Sequence, residues 1–571
     1  MNINTSIVYA LERENSKYHE ESQCISCKSG TDIKGATWTT VDRLGECYTG
    51  QPGLVHYYDG TNVMMLPFAH ELVIGSTGTG KSEVFYKNQS LLANLPDDVR
   101  PSFMFTDVKG NIHADLAPML KEKGYNVIVY DLRNPHKSAR YNFLLQIYED
   151  YQKAAKIKKL LAEDAIKTVF NGKDYGTVKK ARIAAECRRV ELFDAVERGI
   201  NEISSIIVQD YDPKDRMWTN GARTMLNAIM WTMLRDSENP ANGMTREKFT
   251  MANVCYIAFS TGDDCDEIVD WLSRADDILC VKSAIVSNYR LKAKTTRDGY
   301  ISTLNTALGD YSSATIGAIT STSDEIDLRK IADGDEPYAI FVITDERQKI
   351  THNICMMFIN NLINELVAKA DRNPSRSLQR DFVILADEFA NMPPMPNLAH
   401  KITTLRSRRI WMVMAIQSIQ QLSMVYKEDK ETSEIIKDNC DLQLFLGCNN
   451  DDTKEAFARS MGKKIGVKTS FTISNEGNVS VSKVTEDVPV IRKSDLDNLM
   501  LGEFYVRARC AQNFKGYMLP FFMRADRLPA LSDDDVEFRE YDSSQNCYDI
   551  EEVVKREQGD QPIRRKFDFD F

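Results

Sequence analysis

The sequence has no run of apolar residues approaching the roughly 18 to 20 that a membrane-spanning helix needs. Its best runs, residues 354–363 and 410–416, are short enough to be core elements. The opening stretch MNINTSIVYALERENSKYHEES lacks the charged-then-apolar order of a secretory leader. Positive charge is also in deficit: 72 Lys and Arg against 83 Asp and Glu leave a formal net charge of -11. That excludes a surface that is basic all over, so any contact with nucleic acid must be local, inside a groove or pore. A disulfide framework is missing too. The twelve cysteines are scattered and only Cys24 and Cys27 form a C-x-x-C, which fits a reduced, cytosolic compartment. Cys47 and His56 are available as further zinc ligands, but their spacing matches no ribbon or finger. No repeat and no long linker interrupts the chain. With 571 residues, 43% of them hydrophobic and 27% charged, it can fold two to four domains around a sizeable core.

What is present is a glycine loop. Gly75-Ser76-Thr77-Gly78-Thr79-Gly80-Lys81-Ser82 follows the apolar Leu72-Val73-Ile74 and matches G-x-x-x-x-G-K-[S/T] at every fixed position. The glycines let the backbone curl so that successive N–H groups converge on an anion. Lys81 supplies a compact positive charge for the outer phosphates, and Ser82 offers a hydroxyl to Mg²⁺. A helix opening at about Lys81 adds its positive dipole end. The loop therefore predicts a nucleoside triphosphate with Mg²⁺.

Residues 1–62 mix polar turns with short extended pieces and read as a lead-in. From 63 to 147, apolar runs at 72–74, 103–105 and 127–130 alternate with helical ones, the signature of a parallel α/β sheet. Residues 148–298 are dominated by helix formers and read as an all-α domain inserted in the α/β domain. Strand-like runs return at 338–343, 382–385, 410–416, 442–446 and 504–507, so the sheet resumes over 299–530. Residues 468–489, around Asn475-Glu476-Gly477-Asn478, suggest an exposed β-hairpin. The acidic tail, 531–571, is expected to be loosely ordered.

A triphosphatase needs an acidic site at the end of a neighbouring buried strand, and FVILADE provides one. Asp387 would hold the metal through its water shell while Glu388 orients or deprotonates the attacking water. The next apolar run ends on Gln417-Ser418, where an amide can report the γ-phosphate or merely form a turn. Between them lies KITTLRSRR, ending in Arg406, Arg408 and Arg409. These are either favourable charge at a helix C-terminus or an arginine finger that reaches a neighbouring subunit's nucleotide.

The ordered set GSTGTGKSE, FTDVKG, YDLRNPHKSARYNFL, MWTNGARTML, LADEFANMPPMPNL, TTLRSRRI and AIQSIQQL resembles the type IV secretion coupling proteins, the TraG/TraD-like conjugative DNA translocases. DNCDLQLFLGCNNDDT and VIRKSDLDNLMLGEFYV extend the likeness over roughly residues 63 to 525. The resemblance implies a RecA-like motor domain with an inserted all-α domain, in a hexameric ring around a pore that carries single-stranded DNA with an attached relaxase toward a secretion channel. It also implies ATP rather than GTP, Lys81 and Ser82 as loop residues, Asp387 and Glu388 as the acidic pair, Gln417 as phosphate sensor and Arg406 as a finger acting in trans.

Members of that family usually begin with transmembrane helices. This sequence shows none, which predicts either a cytoplasmic member recruited to the inner face of the membrane by an anchoring partner or a chain whose anchor was lost. The helical run 151–198 exceeds the family pattern and reads as an added recognition surface or a longer structural hairpin. Candidate DNA contacts are Lys463, Lys464 and Lys468 near the β-hairpin and Lys292, Lys294 and Arg297 at the helical boundary. Two rival functions stand beside this one: a pump of the FtsK-like kind, and a nucleotide-gated docking adaptor that recruits substrate without pumping.

Overall fold

The computed structural model describes residues 37–41, 52–209, 213–260, 265–427, 430–473, 479–509, 512–532, 538–539, 548–550 and 553. Nine strands form the central sheet: β1 (Glu71–Gly75), β2 (Ser102–Asp107), β3 (Asn126–Asp131), β4 (Tyr338–Ile343), β5 (Phe382–Ala386), β6 (Ile410–Ile416), β7 (Leu442–Gly447), β8 (Glu503–Ala508) and β9 (Phe514–Tyr517). Their spatial order is β9-β8-β7-β1-β6-β5-β2-β4-β3. The seven strands from β7 to β3 are parallel, and β8 and β9 are added antiparallel. Every apolar run read as a strand falls in this sheet. The exception to that reading is β9, whose Phe-Lys-Gly-Tyr is too short and polar to stand out.

Parallel strands covered on both sides read as continuous apolar runs, and all seven residues of β6 are buried. Strand alternation divides them between two cores. Leu72, Ile74, Met104, Ile340, Ile384 and Met412 face one; Val73, Phe103, Phe105, Phe341, Val383 and Trp411 face the other. The second face is closed by the helical segment Lys81–Tyr86, continued as Lys87–Asn94, by helix Asn111–Glu122, and by a three-stranded antiparallel sheet of Thr37–Thr40, Asn62–Pro67 and Gly53–Tyr58. The Gln89 side chain clips that small sheet down, bonding both the N–H and the C=O of Val55 at 2.9 and 3.0 Å. Of the zinc candidates, His56 has both ring nitrogens engaged, with Leu54 O and Glu71 Oε1, while Cys24, Cys27 and Cys47 lie outside the described residues.

The first face packs helix Lys349–Arg372, and its core continues without a break into the helical block through Met225, Leu226, Ile229 and Trp271. Two long helices of that block, Leu145–Ala162 and Val178–Ile207, form a hairpin over the run 151–198. Its far end has a small core of its own, with Ile157, Ile166, Phe170 and Leu192. Helices Arg216–Asp236 and Lys294–Leu308 cross where a glycine on each meets an aromatic ring of the other. A Cβ on Gly221 would lie 2.4 Å from Tyr300, and one on Gly299 2.4 Å from Trp218. The motif MWTNGARTML thus encodes a close helix crossing.

A β-hairpin pairs Lys463–Ile473 with Val479–Pro489, starting five residues before the expected 468; its turn at Asn475–Asn478 and the burial of residues 466–486 lie outside the described residues. Among the described residues of the tail, Ser532, Phe538 and Arg539 are exposed while Tyr548, Ile550 and Val553 are buried. Among the described residues no helix is long and apolar enough to cross a membrane.

Candidate nucleotide site

β1 delivers the chain to Gly75 at the C-terminal edge of the sheet, where ligand sites of parallel sheets form. The loop that follows is stitched to the end of β7: the Ser76 N–H donates to Gly447 O at 2.8 Å, and the Asn449 N–H to Ser76 Oγ at 3.3 Å. Thr79 turns the chain by donating its N–H and Oγ1 to Ser76 O at 3.2 and 2.9 Å. Gly78 and Gly80 stand at φ +85 and +92, a region that side chains disfavour. At Gly80 a Cβ would also lie 2.8 Å from Val84. The helical segment opens at Lys81, whose buried ammonium donates to Gly75 O at 2.8 Å and to Ser76 O at 3.4 Å.

Asp387 immediately follows β5, two strands from β1, and accepts a hydrogen bond from Ser82 Oγ at 3.2 Å. Burial pushes its carboxyl up to about 6; Glu388 and Asp107 add to the rise, while Lys81 and the Ser82 hydroxyl oppose it. The neighbouring β2 braces this acid through Thr106 Oγ1, which donates to Asp387 O at 3.0 Å. Asp107, fully buried, accepts N–H bonds from Lys109, Gly110 and His113 and so closes the turn that presents Lys109.

Lys81, Ser82, Asp387 and Glu388 face Lys109, Glu346, Leu501 and Phe522 across a cleft of about 340 Å³. Sequence reasoning missed the last four. The rule that ligands gather at the C-terminal ends of parallel strands would have found Lys109 after β2 and Glu346 after β4. Leu501 and Phe522 flank β8 and β9 with no comparable signal.

Glu388 sits at φ +53, unusual for a residue with a side chain. Its Oε2 accepts from Asn391 Nδ2 at 2.6 Å, Asn391 Oδ1 from Gln421 Nε2 at 2.7 Å, and Gln421 Oε1 from the Gln417 N–H at 3.2 Å. This chain of hydrogen bonds joins D-E-F-A-N to Q-S-I-Q-Q. Gln417 follows Ile416, which is in register with Ile74 of β1, so it stands level with the start of the loop.

Arg406 lies elsewhere. It precedes β6, at the N-terminal edge of the sheet, half exposed and ion-paired with Asp441. Seven strand residues at about 3.3 Å each place it roughly 20 Å from the glycine loop of its own chain. Among the DNA candidates, Lys463, Lys464, Lys292 and Lys294 are exposed and Arg297 lies 3.3 Å from Asp298; the Lys468 side chain lies outside the described residues.

The donor set suits Mg²⁺. A serine hydroxyl and a carboxylate are hard oxygen ligands, and among the described residues no cluster of three or more His, Cys, Asp or Glu could hold a metal by itself. Mg²⁺ is typically held by one or two such groups, with water and phosphate completing the octahedron.

The family model for type IV secretory system conjugative DNA transfer matches residues 28–489. The chain belongs to this family. Among solved structures, this member of the conjugative DNA transfer family is similar to the bacterial conjugative coupling protein TrwBdeltaN70 in its trigonal form with sulphate. The two share 15% identity and a TM-score of 0.56, over 89% of this chain and 99% of that one. It is similar also to the plasmid coupling protein TrwB in complex with the non-hydrolysable ATP analogue ADPNP (15% identity, TM-score 0.54, 88% and 97% coverage). The TrwB complex with ADP and Mg²⁺ gives 15%, 0.53, 90% and 100%. At this identity the likeness establishes the fold: a RecA-like α/β sheet with a helical insertion. Comparison with curated proteins gives no match.

Proposed function

We propose that this family member is a Mg²⁺-dependent ATPase that moves single-stranded DNA, with its attached relaxase, to the channel of a type IV secretion apparatus, working as a homohexamer. The observation that carries the reading is the convergence of Lys81, Ser82 and Asp387 at one strand edge, with Glu388 hydrogen-bonded through Asn391 and Gln421 to Gln417. The nucleotide complexes of TrwB support ATP and Mg²⁺ as cofactors.

In this reading the backbone N–H groups from Gly75 to Ser82 and the Lys81 ammonium hold the phosphates. Ser82 and Asp387 would hold Mg²⁺, which would supply positive charge against the phosphates. Glu388 takes the proton of the attacking water, and its tether to Gln417 links that proton transfer to the strand beside the loop. Arg406, too far from its own loop, serves the site of the next subunit in the ring. We assign residues 1–62 to a lead-in, 63–147 and 299–530 to the motor, 148–298 to the inserted domain and 531–571 to a tail. We also assign Lys292, Lys294, Arg297, Lys463, Lys464 and Lys468 as DNA contacts. A membrane-anchoring partner would bring the protein to the inner face of the membrane.

The test is turnover of ATP with single-stranded DNA and relaxase present. Glu388→Gln should lower it by about 10²-fold or more while Mg²⁺–ATP still binds. Negligible turnover by the unaltered protein under those conditions would instead favour the docking adaptor.

A further inference from the structure

Two exposed apolar side chains stand at the rim of the nucleotide cleft. Leu501 is 49% exposed and Phe522 46%, and both line the cleft together with the glycine loop. Leu501 precedes β8 and Phe522 follows β9, so they lie on the side of β1 where the sheet continues through β7, β8 and β9. Asp387, Lys109 and Glu346 follow β5, β2 and β4, on the other side of β1. Because β8 is antiparallel to β7 and β9, its start and the end of β9 reach the same sheet edge as the loop. The cleft thus runs from carboxylates and Lys109, past the glycine loop, to a hydrocarbon rim. Glu83, next after the loop, is engaged by the buried Lys87.

Both rim residues sit on turns locked by hydrogen bonds. Around Leu501 the Glu503 N–H donates to Met500 O at 2.9 Å, the Met500 N–H to Glu503 Oε2 at 3.0 Å and the Met518 N–H to Gly502 O at 2.9 Å. Leu501 also lies against the loop, for a Cβ on Gly80 would be 3.3 Å from its Cδ1. The turn Phe521–Met523 packs on the helical segment Lys81–Tyr86. Asn88 Nδ2 donates to Leu519 O at 2.8 Å, and the buried Arg524 donates to Asn88 Oδ1 and Ser90 Oγ at 3.2 and 3.1 Å. Phe521 is buried, with Lys87 Nζ 5.7 Å and the Arg524 guanidinium 5.1 Å from its ring centre. With Gly502 and Phe521 held inside, the outward position of their neighbours is built into the turns. A rigid apolar rim on a polar cleft is what a ligand with a flat hydrophobic end needs.

We propose that Phe522 and Leu501 form the base subsite of this cleft, the Phe522 ring stacking on the face of a purine and Leu501 packing beside it. The inference rests on the reading of the cleft as a triphosphate site. A triphosphate laid along the loop with its outer phosphate toward Asp387 sends its nucleoside out on the β8–β9 side, where these two side chains wait. Hydrocarbon contacts grip the face of a base and leave its edge unread. The ligand class is therefore a purine nucleoside triphosphate, adenine and guanine alike, with the smaller face of a pyrimidine held less well.

The test is calorimetric binding to the full chain, in Mg²⁺, of ATP, GTP, CTP and inorganic tripolyphosphate, which carries phosphates without a base. Phe522→Ala should weaken ATP and GTP by about tenfold, the scale of a lost base–aromatic stack, while tripolyphosphate stays within roughly twofold. Phe522→Trp should keep the purines bound as in the unaltered chain, and Leu501→Ala should give the pattern of Phe522→Ala with a smaller loss. CTP should bind the unaltered chain more weakly than ATP, and Phe522→Ala should narrow that gap. Unchanged ATP binding by Phe522→Ala overturns the subsite. So does an equal loss of ATP and tripolyphosphate, which would show that the ring merely supports the loop. A preference for ATP over GTP beyond about tenfold would overturn the unread edge, since apolar contacts alone discriminate weakly between polar groups. Failure of the underlying triphosphate reading looks different: neither ATP nor tripolyphosphate would bind the unaltered chain.

Discussion

Two buried acids at the N-terminal edge of the parallel sheet and one at its C-terminal edge hold their charge in opposite ways, although Asp131 and Asp345 at the C-terminal edge are paired with Arg133 and Arg347. At the N-terminal edge buried acids have cations at hand: Asp441 takes Arg406 and Arg509, and Asp381 takes Arg409 together with the Trp411 Nε1–H at 2.8 Å. His70, whose Nδ1 accepts the Met412 N–H at 3.1 Å, is kept neutral there, its pKa pushed down to about 4 by burial. At the C-terminal edge Asp387 has the Ser82 hydroxyl, the Glu388 N–H and the Lys81 ammonium to favour its charge, yet its burial outweighs them, and Glu388 occupies a backbone region that costs on the order of 1–3 kcal/mol. Folding alone favours the first arrangement. The second stores unfavourable electrostatics that a cation and a polyphosphate would relieve, so the contrast separates charge that builds the fold from charge that awaits a ligand.

Arg406 strains this division, since it sits on the paired edge with a role proposed at the other edge of a neighbouring subunit. Arg406→Ala should lower ATP turnover by about 10³-fold, the scale of a lost arginine finger. Its half-exposed ion pair predicts a stability loss of at most about 1 kcal/mol. Asp441→Asn frees the same guanidinium and should leave turnover within roughly threefold, the finger itself being intact. If both variants melt earlier by the same amount and neither changes turnover, Arg406 belongs wholly to the paired edge.

A third site of paired charge lies away from both edges. Glu202 of the long hairpin, 4% exposed, takes Lys401 Nζ at 3.0 Å and the Asn360 and Asn364 amides at 2.8 Å. Burial lowers the Lys401 pKa, and Glu202 resists that fall. Lys401 lies on helix Leu398–Leu405, between Glu388 and Arg406 in the chain, so the pair fastens the helical block to the segment joining the two edges. Removing one partner of a buried pair leaves an uncompensated charge, and Glu202→Gln should destabilise by about 3 kcal/mol in urea melts. Adding Lys401→Met should recover most of that loss. A double variant no better than the single one would show that the asparagine contacts, and not the charges, make the joint.

The sheet was readable because parallel strands buried on both faces leave unbroken apolar runs, as in Ile410–Ile416. The loop was readable because its pattern is local: eight consecutive residues contain the whole turn, with Lys81 folded back onto Gly75 O. Lys109, Glu346, Leu501 and Phe522 were not, because the sheet order brings together strand ends that are hundreds of residues apart, and no window of sequence contains that order. The link from Glu388 to Gln417 is short in sequence and both of its motifs were visible; it escaped because it runs through side-chain contacts between the ends of neighbouring strands. Tyr548, Ile550 and Val553 were hidden by composition. Averaged over its acidic neighbours the tail appears soluble, and only the partners of Tyr548 at Asp236 and Asn253 show why that side chain is buried.

The smallest effect gives the cleanest test of the contrast between the edges. In metal-free protein the Asp387 carboxyl, held at about 6 against an ordinary 3.8, adds stability that is fully present below about pH 4 and is lost as the pH rises through 6. Near neutrality the loss is at most about 3 kcal/mol. An asparagine amide in its place would never ionise, so Asp387→Asn in EDTA should melt later than the unaltered protein at pH 7.5, with the difference vanishing toward pH 4. Adding Mg²⁺ and ATP should reverse the order, because only the carboxylate gains a cation from the ligand. An acid of the N-terminal edge behaves in the opposite sense: Asp381→Asn forfeits the pairing with Arg409 and should melt earlier at pH 7.5 with or without ligand. Should Asp387→Asn also melt earlier in EDTA, the C-terminal edge would be as well satisfied as the other, and its unrelieved charge could not be what draws the nucleotide and its metal into the cleft.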